Sequence, residues 1–122
     1  MEGEPAMAAP KKKDEAITIE REEAWIGDAV LALYVREWIL QEHGAMDGEM
    51  FVRFTSNDFL RCAGNPTSVE AEIGRVYKEN GLQAGFDWIA ENLYPKFLEK
   101  EKQYQRHVAT QLPRKLRKQK KK

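Results

Sequence analysis

Two carboxylates stand where acids are expensive. Asp28 lies in Trp25-Ile26-Gly27-Asp28-Ala29-Val30-Leu31. From Trp25 to Leu40 only Gly27, Asp28, Tyr34, Arg36 and Glu37 interrupt an apolar run. Glu70 lies in Val69-Glu70-Ala71-Glu72-Ile73-Gly74, a second apolar stretch that also carries a glycine. Glu70 and Gly74 are four apart and share one face of a helix. Helices that cross at small residues bring such acids together. Burying an acid is costly unless it is paired or binds a metal. An Asp and a Glu facing each other suit Mg²⁺, with Mn²⁺ as a substitute. Such an ion takes one or two carboxylates and completes its shell with water and substrate phosphate. Asp28 and Glu70 are therefore the candidate metal ligands and catalytic residues.

The elements that must position them read as helices. The central one is expected from about Glu20 to His43, with Gly44 as its stop. Asp14 to Ile19 reads as a turn or short helix leading in. The central helix is apolar on nearly every side, so it should be buried on both flanks. A chain this small lacks the mass to do that alone, which points to a second subunit. A second helix is expected over about Glu49 to Ala63, with Thr55-Ser56-Asn57-Asp58 as a possible break and Gly64 as its end. Asn65-Pro66 then supplies a capping residue and a first-turn proline for a third helix to Asn80. Its expected apolar face is Val69, Ile73, Val76 and Tyr77. A fourth helix, about Leu82 to Asn92, should bury Leu82, Phe86, Ile89 and Leu93. Pro95 opens a fifth, to about Val108, apolar at Phe97 and Leu98 before it turns charged. No alternating strand pattern appears. The fold class is all-α, a bundle of about five helices, with one domain over residues 14–108. Residues 1–13 and 109–122 flank it as disordered segments.

Charge is unevenly placed. The chain has 122 residues, 20 of them basic and 20 acidic. Seven of the basic ones lie in residues 113–122, leaving 13 basic against 20 acidic in the rest. An acidic body with a basic tail assigns the attraction to polyanions to the tail. Arg114, Lys115, Arg117, Lys118, Lys120, Lys121 and Lys122 are the expected RNA-binding residues. Their pull on phosphate is independent of sequence and weakens with salt. The single cysteine, Cys62, excludes an intrachain disulfide and fits a reducing compartment. No uncharged apolar run approaches the roughly 20 residues of a membrane span. The expectation is a soluble, cytoplasmic protein.

The paired motifs resemble the ribonuclease III catalytic domain. That family has a glycine-aspartate in a central apolar helix, followed by a Val/Phe-Glu-Ala-Leu-Ile-Gly segment. Here these are Ile26-Gly27-Asp28-Ala29-Val30-Leu31 and Val69-Glu70-Ala71-Glu72-Ile73-Gly74. The resemblance spans about residues 20–95. Full-length members have a further acid four residues before the aspartate, where this chain has Ala24. They have an aspartate three residues before the glutamate, where this chain has Thr67. The compact mini-ribonuclease III branch looks like this chain at both places. The region between the second helix and Glu70 is shorter than in the family. The resemblance implies a homodimer packed through the central helices. It also implies Mg²⁺-dependent hydrolysis of double-stranded or structured RNA, such as ribosomal RNA precursors, leaving 5′-phosphate and 3′-hydroxyl ends. Glu23 and Asp47 are lesser candidates for negative charge near the metal.

Other residues read as structural. Trp25, Trp38 and Trp88 suit a core or an interface. His43 and His107 lack metal-ligand spacing, Cys62 suits a small buried filler, and Glu72 should face solvent. Two alternatives stay open beside the nuclease. One is a non-catalytic RNA-binding relative. The other is a helical protein-interaction module with a basic tail.

Overall fold

The computed structural model describes residues 12–111, and among these it is all helix and turn, with no strand. The longest element is α1, Lys12–His43, a helix of 32 residues. It begins eight residues before the expected start, because Asp14 to Ile19 join it as regular helix rather than a separate lead-in. The acidic Asp14 and Glu15 in its first turn complement the helix dipole. Gly44 ends it at φ 74°, its N–H donating to the Leu40 carbonyl.

The expected second helix is two. The first, α2, spans Gly48–Thr55 and is capped by Asp47, whose carboxylate accepts from the Met50 N–H at 3.0 Å. Ser56 is extended (φ −71°, ψ 152°), which stops α2. Its hydroxyl then accepts from the Phe59 N–H and starts the short α3, Asn57–Leu60. The break falls inside the Thr55–Asp58 polar stretch, where Ser and Asn side chains compete with helical hydrogen bonds. Asn65 caps α4, Pro66–Asn80, through the Ser68 N–H, with Pro66 in the first turn. Gly81, at φ 95°, is the whole joint between α4 and α5, Leu82–Asn92. A side chain with a Cβ would be strained there. The last helix, α6, is Tyr94–Gln111 and runs three residues past its expected end.

The core sits between one face of α1 and the shorter helices. Leu31, Val35, Phe54, Leu60, Ile73, Ile89, Leu93 and Phe97 are buried. Phe54 and Phe97 stack at 4.1 Å between centroids, which ties α2 to α6. Phe59 and Trp38 meet that pair edge-on. The Trp38 indole N–H donates to the Tyr94 hydroxyl at 3.2 Å, so its one polar group is satisfied. Outside this cluster the Arg53 guanidinium grips Glu101 through two hydrogen bonds and lies over the Tyr104 ring.

Some expected core residues are not core. Tyr77, Leu82 and Leu98 are about two-fifths exposed, and Cys62 is exposed rather than a buried filler. Cys62 follows α3 in a turn, where the chain runs over the surface.

The most extensive packing is α1 on α4. Their backbones touch at two glycines. A Cβ on Gly27 would lie 1.7 Å from the Glu70 carbonyl oxygen, and one on Gly74 would lie 2.0 Å from the Glu23 carbonyl oxygen. These neighbours are backbone atoms and cannot swing aside. Gly27→Ala is therefore expected to cost about 3 kcal/mol in urea unfolding, the upper end for an overpacked core. Gly48→Ala, with open space at its Cβ, should stay within about 0.5 kcal/mol of the parent. Equal stability of the two variants would show that the helices do not meet at Gly27.

Candidate functional site: a carboxylate pair at a helix crossing

The glycines that let α1 and α4 touch are neighbours of the two acids. Gly27 precedes Asp28, and the carbonyl that rests on Gly27 belongs to Glu70. The crossing and the acid pair are thus one construction. Asp28 stands exposed on the flank of α1, not enclosed as the apolar run suggested, and Glu70 is half-buried on α4. The core face of α1 is instead filled by Ala24, Val30, Leu31, Val35 and Ile39.

The Glu70 carboxyl is pushed up to about 7, first by burial, then by its hydrogen bond to Asp28 and by the Asp28 charge. Two carboxylates sharing one place resist simultaneous ionisation. A proton on Glu70 relieves that repulsion. A divalent cation relieves the same repulsion with more charge. Among the described residues no group of three or more His, Cys, Asp or Glu gathers as a metal cage. Two facing carboxylates could hold an ion that takes its other ligands from water and phosphate, as Mg²⁺ does.

The neighbouring residues have structural tasks. Arg75 bridges Glu72 on its own helix to Glu23 on α1, reaching Glu23 at 3.4 Å. Glu23 is thereby committed to a cation and does not add free negative charge to the pair. Glu72 joins the same bridge with its side chain still 42% exposed, in line with its expected solvent-facing side. The Ser68 hydroxyl donates to Glu20 at 2.9 Å, a second polar tie between α4 and α1. Asp47 is the cap of α2. Ala24 is buried, and Thr67 is exposed at the start of α4. The role of Arg75 was not apparent in the sequence. Its spacing of three from Glu72 was the available signal, but the partner on α1 was not.

The tail residues Arg114, Lys115, Arg117, Lys118, Lys120, Lys121 and Lys122 lie outside the described residues. None of the described helices is long and apolar enough to cross a membrane. No family model matches the chain, and searches of curated proteins and of solved structures return no match.

The raised Glu70 value fixes a pH dependence. Folded Glu70 holds its proton to about pH 7, whereas an unfolded glutamate releases it near 4.5. The folded state therefore binds more protons between these values, and stability falls as pH rises through that window. Glu70 is only half-buried, so solvent screening leaves the effect on the order of 1 kcal/mol. In chelator-treated protein, melting temperature should drop by several degrees between pH 4.5 and 7.5. Glu70→Gln should remove that component of the slope. A slope unchanged by the substitution would separate Glu70 from Asp28.

Proposed function

We propose that the chain is a Mg²⁺-dependent endoribonuclease acting on duplex or structured RNA as a homodimer, of the ribonuclease III kind. The observation that carries this reading is the meeting of Asp28 with Glu70 at the Gly27–Gly74 crossing. Two motifs 42 positions apart in the chain resemble one family's motifs, and their acids lie close enough for Asp28 to raise the Glu70 carboxyl.

Asp28 and Glu70 would hold the ion. When bound, Mg²⁺ lowers the pKa of a coordinated water and offsets charge growing on the phosphate. Glu70 must first give up its proton, so cation binding competes with protonation and weakens below about pH 7. The helix crossing holds both carboxylates on rigid elements, which limits the cost of bringing them together. Duplex RNA is recognised by shape and backbone contacts, which suits a chain without a base-reading motif. The basic residues from Arg114 to Lys122 would add a salt-sensitive attraction to phosphate. Dimerisation is supported by the outer side of α1, where Trp25 is 79% exposed and Ile26, Leu33 and Leu40 stand beside it.

A second reading keeps the RNA and the dimer without the chemistry. Ala24 and Thr67, in place of two acids of the full-length enzymes, favour it. The third, a helical protein-interaction module, predicts no preference for duplex RNA over an acidic protein.

The test is incubation with end-labelled duplex RNA and Mg²⁺. Staggered cleavage leaving 5′-phosphate ends is expected. Asp28→Asn and Glu70→Gln should each lower the rate by at least about 100-fold, in keeping with loss of a metal-site residue. Binding of the duplex without turnover would overturn the nuclease in favour of the second reading. Cleavage that survives both substitutions would place the chemistry elsewhere.

A further inference from the structure

The outward side of α1 is more ordered than a scatter of exposed apolar residues. Glu22, Trp25, Ala29, Leu33, Arg36 and Leu40 are all exposed and are spaced three, four, four, three and four apart. Steps of three and four keep them on one stripe of the helix, the kind of seam by which one helix packs along another. The seam is apolar in its middle, with a small residue at its centre. An acid stands seven residues before Ala29 and a base seven residues after it. Seven residues are two turns, about 10.5 Å.

In a two-fold dimer each contact is made twice, with the roles exchanged. We infer that α1 meets α1 of a second copy antiparallel, with Ala29 on the two-fold axis and Glu22 of each copy paired with Arg36 of the other. This rests on the homodimer reading above and adds its register. With Ala29 on the axis, residues equally far before and after it come opposite one another. Trp25 of one copy then covers Leu33 of its partner, and both are otherwise exposed. Ala29 meets Ala29, and its single methyl lets the helices approach closely. Arg36 is already held over the Phe51 ring, at 4.5 Å from its centroid, so it meets the acid from a supported position.

Charge excludes the main competitor. A parallel pairing in register would set Glu22 beside Glu22 and Arg36 beside Arg36. Moving the axis to Leu33 would take Glu22 opposite position 44, past the end of the helix, and leave Arg36 opposite the buried Val30. Like charges brought face to face cost far more than an exposed opposite pair returns. The register is thus set by what it avoids as well as by what it pairs.

Sedimentation velocity over a concentration series, with chelator present, tests the pairing apart from any nuclease activity. Glu22→Arg and Arg36→Glu should each weaken the dimer about tenfold or more, as expected for like charges at both ends of the seam. The two together should restore it to within about threefold of the parent. In a Cys62→Ser chain, Ala29→Cys should form a disulfide-linked dimer under mild oxidant, because residues on the axis face themselves. A parent that dimerises without charge-swap rescue and without the link at position 29 overturns the register and leaves the homodimer standing. A parent that stays monomeric overturns both. The RNA cleavage assay then decides the chemistry on its own.

Discussion

The contact of Gly27 with the Glu70 carbonyl, and of Gly74 with the Glu23 carbonyl, is the constraint from which the rest follows. Helices normally keep their axes 8–10 Å apart, the distance set by side chains at the contact. Here glycines at the crossing remove those side chains, and the two backbones touch. Side chains next to such a crossing have no choice about their company. Asp28 and Glu70 are driven together by packing, and the repulsion between them is sustained by the contact energy of two long helices. An acid pair on loops would relax apart.

The same crossing explains how α1 can be apolar on two sides. One side joins α4 and the aromatic cluster of Phe54, Phe97, Phe59 and Trp38. The other carries Trp25, Leu33 and Leu40 outward. Arg75, between Glu72 and Glu23, and Ser68, on Glu20, keep the polar rim of the crossing paired. Glu20, Glu23 and Glu72 thus each have a partner at the crossing.

Much of this was legible in the residues because glycine and acid in an apolar helical run are unusual company. Gly27-Asp28 and Glu70 with Gly74 announced both the close approach and its cargo. Asn65-Pro66 and Gly81 marked the ends of α4, since each does a backbone job other residues do badly. The long-range facts were hidden. Asp28 read as enclosed, because periodicity could not say which of two apolar sides of α1 faces the core. Asp47 read as a charge near the site, because an acid before a helix looks the same whether it caps or binds. Ser56 ended one helix and began another, whereas the composition of that stretch showed only that helix was disfavoured there. Cys62, Leu82 and Leu98 were exposed where apolarity alone suggested burial.

The Arg53–Glu101 grip and the Tyr104 ring beneath that guanidinium have a consequence at the far end of the chain. The last helix continues for seven residues past Tyr104, about 10 Å of stiff rod. The ion pair and the ring fix the phase of that rod on the body of the fold. Each residue added to or removed from that stretch would rotate Gln111 by about 100° around the helix axis relative to Tyr104.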